Sequence, residues 1–472
     1  MRPSRTPAAR WALAALLMAC AACSGGGTAA PSGTTVAPGG SGDIVVASGR
    51  DVTGKGGIRQ QLVDAWNARQ DRLHTGRHAR LVELPGSADQ QRSQLLGALQ
   101  SDSAQYDVIN LDVTWVPEFA DAGLIRTLPK TMVDKDVIKS VARTARWDGK
   151  VYAMPFNSDV GLLYYRRDYL ERAGVQNTDL SEGLDWTQLK ALIGAVDEKR
   201  GKDRPSAYEK GWTSQFGAYE GRTVNGVEAF ASAPDGVTLT DEDGRYTASV
   251  EGLEKGLAEL RTRTQGPYLL KDALHSDEAE SLTDFADGRT AFLRHWPYAY
   301  RTLHQSLSTK QLGVAPLPGT AVLGGQNLAV THSSGQVDAA RDLIGFLTGP
   351  ESERCLLDAG FAATRKSAYQ NGDVTCRSAR PSGAATAGPS PSSSAESTDR
   401  MPRDADGRPA YARTILLPGL ARAVSRPRTP LYGAFTQTFT TELGKLLSDA
   451  PPSDGDLATE LDKALRSVLP DG

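Results

Sequence analysis

The sequence has no strong excess of charge of either sign. Its 472 residues include 53 Lys and Arg against 56 Asp and Glu, so the net charge is -3. A chain with this balance lacks the basic field that draws nucleic acid or an anionic membrane surface. We therefore expect no nucleic-acid partner and an ordinary globular protein, and the length is sufficient for two or three domains.

The common catalytic motifs are also missing. No segment reads GxxxxGK[ST], HExxH or GxSxG, and CxxC spacing occurs only at Cys20 and Cys23. His74 and His78 are four residues apart, but Gly76 lies between them and no third ligand is evident, so we expect no metal site. The sequence predicts a protein that is not an enzyme and needs no cofactor. Composition alone leaves one enzymatic alternative, a secreted glycoside hydrolase with two cleft carboxylates.

The longest apolar run near the start of the chain is short, from Trp11 to Ala19, and Arg2, Arg5 and Arg10 precede it. A run of this length is too short for a bilayer span, which takes about 20 residues. Basic residues followed by a short apolar segment are typical of an export signal. We assign residues 1–19 to a signal peptide.

The end of this signal carries a lipidation motif. Leu17-Met18-Ala19-Cys20 resembles the lipobox of bacterial lipoproteins, and this resemblance implies cleavage before Cys20 and a lipid on its thiol. Cys23 is the alternative site, because a Ser-Gly-Gly-Gly segment follows it. A second alternative is an ordinary secretory signal cut at an Ala-x-Ala-like sequence. Two acyl chains anchor a protein stably where one does not.

Only two further cysteines are present, Cys355 and Cys376. In an exported protein an even pair predicts a disulfide, which would contribute roughly 3 kcal/mol by closing its loop. Two unpaired thiols are the alternative.

Two segments are too poor in apolar residues to fold. Residues 20–42, rich in Gly, Ser, Thr, Ala and Pro, are predicted to be a flexible tether. Residues 378–407, rich in Ser, Pro and Ala, are predicted to be a disordered surface insertion that permits O-glycosylation.

Between these segments, strand and helix patterns alternate. The opening predicts strands at 43–48, 79–84 and 106–111, with helices at 58–70 and 90–100. Later helices are predicted at 185–200, 250–264, 339–347, 435–447 and 456–468. This order predicts an α/β fold with a mostly parallel sheet. Ligands bind beyond the carboxyl ends of such strands, so Asp112, Thr114 and Trp115 are candidate contacts. The alternatives are a helix cap for Asp112 and a core position for Trp115.

Aromatic and polar residues cluster in two later segments, 149–168 and 292–298. A sugar has an apolar ring face and a rim of hydroxyls, so its site needs aromatic platforms together with planar polar groups. Both clusters contain this mixture. Taken alone they are weak evidence, because Tyr and Trp are more often half-buried core residues.

These clusters are part of an ordered set of motifs that resembles one family. The motifs are YDVINLDVTWVPEF at 106–119, the segment 149–168, QFGAYEG at 215–221, RHWPY at 294–298, GVAPLP at 313–318, GGQNL at 324–328 and AATRKSAY at 362–369. Their order is similar to that of the extracellular solute-binding proteins of ABC sugar importers, in particular the maltose and trehalose binders. The resemblance covers nearly all of residues 43–469.

The resemblance implies a two-lobed α/β fold of the periplasmic-binding-protein type (type II), with the ligand in the cleft between the lobes. The implied lobes are 43–154 with 313–349, and 155–312 with 350–472. Closure about a hinge would accompany binding.

The resemblance also implies a set of sugar contacts. Asp112 would bind hydroxyls from the first lobe, Asn157 and Asp159 would bind them from the hinge segment, and Trp296 and Tyr298 would stack on the ring. The further implied contacts are Glu220, Gly325, Gln326 and Arg426, with Arg92 as a less sharply defined one. For Trp296 and Tyr298 the alternative is a core cluster, for Asp159 a cap or salt bridge, and for Glu220 and Arg426 a solvated face.

The chain departs from the family pattern at Gln326, where many relatives carry a second stacking Trp. An amide there reads hydroxyls instead of stacking, so the identity of the sugar stays open. The predicted function is a lipid-anchored, monomeric receptor outside the cell. It would capture a di- or oligosaccharide and deliver it to the transmembrane subunits of an ABC permease. A solute-binding protein for a polyol or glycoconjugate is the alternative.

Overall fold

The structure is a computed structural model that describes residues 42–50, 57–101, 106–199, 201, 204–264, 266–377 and 400–472. Cys20 and Cys23, and with them the predicted signal and nearly all of the tether, lie outside these residues. No helix of the described part is both long and apolar enough to cross a bilayer.

Twelve strands are named in chain order within these ranges. They are β1 Ile44–Gly49, β2 Ala79–Leu84, β3 Val108–Asp112, β4 Arg146–Trp147, β5 Lys150–Val151, β6 Met154–Val160, β7 Leu162–Arg166, β8 Lys210–Thr213, β9 Thr290–His295, β10 Leu312–Pro316, β11 Val322–Val330 and β12 Val424–Ser425.

The α-helices are named in the same way. They are α1 Ile58–Arg72, α2 Ala88–Gln100, α3 Val116–Asp121, α4 Lys139–Thr144, α5 Arg167–Arg172, α6 Trp186–Asp197, α7 Glu220–Ser232, α8 Val250–Thr264, α9 Glu278–Ala286, α10 Ala299–Leu303, α11 Val337–Leu347, α12 Pro350–Asp358, α13 Lys366–Gln370, α14 Leu417–Arg422, α15 Tyr432–Leu446 and α16 Asp454–Val468.

All ten strands and helices predicted from the sequence pattern are present, with ends shifted by a few residues. Two of the helices begin at the residues that elementary capping rules select. The Ser87 side chain accepts the backbone N–H of Gln90, and the Asp185 side chain accepts the backbone N–H of Gln188. In return, the side-chain oxygen of each Gln accepts the backbone N–H of its cap residue.

The first sheet has the strand order β12-β11-β3-β1-β2, and β6 pairs with the other edge of β11. Successive side chains of a strand point to opposite faces, and in this sheet both faces carry apolar side chains that pack against helices. Ile44 and Val46 pack with helix α1 on one side, whereas Ala47 packs toward α2 on the other. The result is an α/β/α sandwich.

The second sheet has the order β10-β7-β9-β8. Tyr165 and Phe292 face a core that includes α6, α8, α15 and α16, and Tyr164 and Leu293 face a core with α9 and α10. The chain passes from the first sheet to the second at Gly161, between β6 and β7, and returns between β10 and β11.

The first sheet is mostly parallel, as predicted from the opening of the chain. β1 pairs in parallel with β2 and β3, and β11 with β12, whereas β11 runs antiparallel to β3 and β6. The second sheet has two antiparallel pairs among its three. The chain crosses between the sheets at Gly161 and within 317–321, since β6 bonds to β11 and β10 bonds to β7. The lobe boundaries at 154/155 and 312/313 stay a prediction.

The structure contains the disulfide between Cys355 and Cys376 that the cysteine count predicts. Cys355 lies in α12 and is buried against the core around α1 and α11.

The predicted insertion ends earlier than residue 407. Met401 is buried, Asp404 Oδ1 accepts the backbone N–H groups of Asp406 and Arg408 in a turn, and the Arg408 side chain is fully buried. Residues 378–399 lie outside the described part of the chain.

Candidate ligand-binding site

One face of the first sheet carries polar side chains around the carboxyl end of β3. Gln326 of β11 stands opposite Asp112 on one side and opposite Asn157 of β6 on the other. Since residues two apart on a strand share a face, the register puts a whole row of polar groups on one side of the sheet. The row consists of Asn110, Asp112, Gln326, Asn157 and Asp159.

The guanidinium of Arg59, near the start of α1, binds this row. Its Nη1 donates to Ser48 Oγ and to the Gly49 carbonyl, both at 3.0 Å. Its Nη2 donates to Asn157 Oδ1 at 3.3 Å and to Gln326 Oε1. The residue is only 4% exposed, so these contacts replace hydration that the cation has lost.

Of the two carboxylates in this row, Asp159 has fewer hydrogen-bond partners than Asp112. Its buried Oδ1 atom has no hydrogen-bond partner. Burial raises the pKa of Asp159 to about 7, the Asp112 carboxylate adds to the rise, and the cations of Arg59 and Arg294 act against it. Near neutral pH this carboxyl group can therefore both donate and accept a hydrogen bond.

Trp296 lies against the same part of the sheet, just after β9. A Cβ on Gly324, the residue opposite Asp159, would be only 3.1 Å from the Trp296 ring, so glycine permits this approach. The Arg294 Cζ atom is 3.8 Å from the ring centroid and covers one ring face. The indole Nε1 donates to Glu278 Oε1 at 3.3 Å, which fixes the plane of the ring.

Tyr298 is the second aromatic residue of the RHWPY motif. Its ring packs edge-on against His295, with centroids 5.1 Å apart. Burial, together with the carboxylates of Glu278 and Asp159, raises the pKa of Tyr298 well above its ordinary value. Tyr298 is thus a neutral, half-buried group near Asp159.

A buried ion pair supports Trp296 from below. Arg294 donates to both oxygens of Glu228, at 3.0 and 2.7 Å, and both side chains are 1% exposed. The pair sits at the crossing between the sheets, because a Cβ on Gly161 would lie 2.3 Å from Glu228 Oε1.

Arg426 joins carboxylates that belong to the two halves of the fold. Its Nη2 contacts both oxygens of Asp112, at 2.9 and 3.0 Å, and its Nη1 donates to Glu220 Oε1 at 2.5 Å. Asp112 ends β3 of the first sheet, whereas Glu220 begins α7, which packs in the core of the second. Burial alone would lower the pKa of Arg426, but the two carboxylates raise it well above its usual value.

Glu220 is saturated with partners. Besides Arg426, Tyr432 donates to Oε1 and Thr436 donates to Oε2 at 2.8 Å. Burial raises the pKa of Glu220, and the Arg426 cation opposes that rise. Glu220 and Arg426 are buried, so neither lies on the solvated face that was the alternative for them.

Asp112 is likewise engaged on its other side. Its Oδ1 accepts from the backbone N–H and the hydroxyl of Thr114, at 2.9 and 2.7 Å. Trp115 is a core residue at 4% exposure. It therefore packs in the core, as the alternative proposed, and is not a candidate ligand contact.

Arg92 is not drawn into this cluster by any hydrogen bond that the structure describes. It forms a two-pronged pair with Glu118, in which Nε donates to Oε2 at 2.6 Å. It lines a neighbouring cavity of about 410 Å³, bounded by α2, the start of α7 and α15. Cavities of 300–1,000 Å³ are usual for small-molecule sites.

Gly325 has a conformational role. Its φ is +110°, and a Cβ there would lie 2.4 Å from the Asn157 carbonyl oxygen. Only glycine allows β6 and β11 to approach so closely at this point. Next to it, Gln326 faces Arg59 with its side-chain oxygen.

Sequence reasoning missed Arg59, Asn110, Ser48 and Glu278. Asn110 had a readable signal, because it is the single amide in the otherwise apolar run 108–111 of β3. Arg59 had none, since an arginine in the first turn of an amphipathic helix is commonly solvated. Among the described residues there is no group of three metal-ligating side chains.

Comparison with known proteins gives the family. A family model described as bacterial extracellular solute-binding protein matches residues 61–382. A probable ABC transporter-binding protein of Deinococcus radiodurans is 29% identical over 335 residues, which covers 66% of this chain and 73% of that protein. The diacetylchitobiose-binding protein DasA of Streptomyces coelicolor is 24% identical over 304 residues, or 61% of this chain and 68% of that protein.

Among solved structures, maltose-bound MalE3 of T. maritima superposes with a TM-score of 0.70 at 21% identity. The match covers 90% of this chain and all of that one, so the two proteins share the two-lobed α/β fold. The chain belongs to the bacterial extracellular solute-binding protein family.

Proposed function

We propose that this protein captures a di- or oligosaccharide outside the cell and delivers it to an ABC permease, without any chemical change to the sugar. The observation that carries the proposal is the meeting of an aromatic platform and a polar row at the crossing between the two sheets. Trp296 has Arg294 on one ring face, and the opposite ring face would stack on a sugar. Asp159, on β6, offers an unpaired buried oxygen to a hydroxyl.

The site would bind neutral hydroxyls better than a net charge. The three cations of Arg59, Arg294 and Arg426 equal in number the three carboxylates of Asp112, Glu220 and Glu228. Arg294 pairs with Glu228, and Arg426 pairs with the other two carboxylates. Asp159 is close to half-protonated near pH 7. A charged ligand would leave one of these buried groups uncompensated, which is costly. A sugar replaces the missing hydrogen bonds without adding charge.

The relatives support the sugar class. The names of DasA and MalE3 refer to diacetylchitobiose and maltose, and both proteins share this fold or family. The implied contacts Asp112, Asn157, Asp159, Gln326, Trp296 and Tyr298 form the proposed ligand surface. Glu220 and Arg426 would act by joining the two halves of the fold next to it, and Arg92 by lining the neighbouring cavity.

Isothermal titration against a panel of trehalose, maltose and diacetylchitobiose tests the proposal. A ligand present at 100 times its Kd adds about 2.7 kcal/mol of stability, so thermal shifts can extend the panel to polyols. We expect saturable sugar binding that Trp296→Ala abolishes and that substitution of Trp147, a partly buried tryptophan on β4, leaves intact. Binding of a polyol with no carbohydrate response would refute the sugar class.

The anchor is a separate part of the proposal. We place the lipid on Cys20, so that the mature chain stays at the outer face of the membrane. Cys20→Ala should release the protein into the medium with unchanged sugar affinity, whereas Cys23→Ala should leave it anchored. Retention of the Cys20→Ala variant together with release of Cys23→Ala would assign the anchor to Cys23.

A further inference from the structure

The orientation of two side-chain amides in the polar row follows from the chemistry of Arg59. A guanidinium has five N–H donors and no acceptor. Whatever faces it must therefore be an acceptor, and the groups that face Nη2 are the amides of Asn157 and Gln326. Their oxygen atoms are held against Arg59, so their NH₂ groups must point away from it.

The neighbouring amide agrees with this arrangement. Asn110 Nδ2 donates to Ser48 Oγ at 2.9 Å and approaches Gln326 Oε1 at 3.5 Å. Both acceptors are also bound by Arg59. If either Asn157 or Gln326 were reversed, a donor would face a donor inside a buried network, which costs a full desolvation penalty.

Three buried polar atoms of the row have no hydrogen-bond partner, namely Asn110 Oδ1, Asn157 Nδ2 and Asp159 Oδ1. The two on β6 are Asn157 Nδ2, a donor, and Asp159 Oδ1, an acceptor. The two residues share a face of β6 two positions apart, and Asp159 lies beside the Trp296 ring. A donor and an acceptor at this spacing suit one hydroxyl, which accepts from the first and donates to the second.

We infer that Arg59 is a positioning residue for ligand recognition. It fixes the amides of Asn157 and Gln326 by their oxygens, and so makes this wall of the site present a donor beside Asp159 for one sugar hydroxyl. The inference rests on the proposed sugar-binding function, but its structural half can be tested without any ligand.

The ligand-free test is a double-mutant cycle. In Asn157→Asp, a carboxylate oxygen replaces the amide oxygen opposite Arg59, so we expect a change in Tm of less than about 2 °C. In an Arg59→Lys or Arg59→Met background the same change leaves a poorly compensated buried charge, and we expect a further loss of about 6 °C or more. Arg72→Met, an exposed arginine of the same helix, is the control background. Equal costs of Asn157→Asp in all backgrounds would overturn the inference.

The ligand test uses whichever of trehalose, maltose and diacetylchitobiose binds, together with its deoxy analogues. Asn157→Asp removes the donor and should weaken binding of the parent sugar by about tenfold or more, at nearly unchanged Tm. One deoxy analogue should be insensitive to Asn157→Asp, and the same analogue should be insensitive to Arg59→Lys.

A purely structural role of Arg59 would lower the affinity for the parent sugar and for all analogues alike, which would refute the positioning role. If none of the sugars binds, the proposed function fails in that panel, while the ligand-free cycle still decides whether Arg59 orients the amides.

Discussion

Arg426 donates to Glu220 inside the protein and, through its other terminal nitrogen, to Asp112, so one side chain connects the two halves of the fold. Glu220 and Arg426 are both buried. A buried ion pair is weak evidence for stability as such, yet the loss of one partner is strongly destabilising because the other charge stays behind.

We therefore expect Arg426→Met to lower the free energy of unfolding by about 3–5 kcal/mol at pH 7. Urea denaturation measures the change. Arg422→Met is the control, because Arg422 is exposed four residues earlier. The double variant Arg426→Met with Glu220→Gln should regain part of the loss. Equal stabilities of Arg426→Met and Arg422→Met would show that Arg426 does not form a buried link between Glu220 and Asp112.

Gly161 is expected to be intolerant of even a methyl group. An alanine Cβ would meet Glu228 Oε1 at 2.3 Å and Arg294 Nη2 at 3.0 Å, and neither atom belongs to a flexible surface group. We expect Gly161→Ala to cost about 2–4 kcal/mol, in the range of overpacked or disrupted buried networks. Chemical denaturation would show it as a lower midpoint at unchanged slope.

Gly345→Ala is the matched control for this substitution. Gly345 lies in α11, and a Cβ there meets nothing within 4 Å. Since alanine is a better helix former, it should stabilise the protein by up to about 1 kcal/mol. If Gly161→Ala were as harmless as this control, the crossing would not be packed against the Arg294–Glu228 pair.

Much of the fold was predictable because it depends on local pattern. The apolar runs of β1 and β3, the amphipathic α1 and the capping boxes at Ser87 and Asp185 are all short-range signals. The antiparallel insertion of β11 between β3 and β6 was not predictable, since it joins segments that are more than 150 residues apart in sequence. Pattern identifies strands, whereas pairing depends on tertiary packing.

The site was predictable in part for the same reason. Motif resemblance singled out Asp112, Asn157, Asp159, Gln326 and Trp296, which the structure brings together on one face. It could not indicate that Arg59 holds the amides, because that contact depends on where α1 starts above the sheet. It also could not show that Arg92 pairs with Glu118 and not with the carboxylates that Arg426 binds.

Reduction of the Cys355–Cys376 disulfide should destabilise the fold without reaching the site. The two cysteines are 21 residues apart, and closing a loop of this length contributes roughly 3 kcal/mol in the chain-entropy model. We expect Cys355→Ser with Cys376→Ser to lower the Tm by several degrees and to leave sugar affinity unchanged. Dithiothreitol should shift the Tm of the native protein but not that of the double variant, and an unchanged native Tm would contradict the prediction.

Asp159 should make stability fall as the pH rises toward neutrality. Its pKa is about 7 in the folded protein, above the ordinary value of 3.8, mainly because burial disfavours the charged form. For a carboxyl group with a raised pKa, the folded state binds the proton more tightly than the unfolded state does. The stabilisation is complete below about pH 4 and is lost as the pH rises through about 7.

Asp159→Asn removes this titration. Because the residue is only partly buried, we expect the variant to match the native protein near pH 4 and to exceed it by about 2 kcal/mol at pH 8. The exposed Asp148→Asn change is the control, and urea denaturation at each pH gives the comparison. A difference between Asp159→Asn and the native protein that stays constant from pH 4 to pH 8 would mean that Asp159 titrates normally and is not the neutral, two-way hydrogen-bonding group that the proposed site requires.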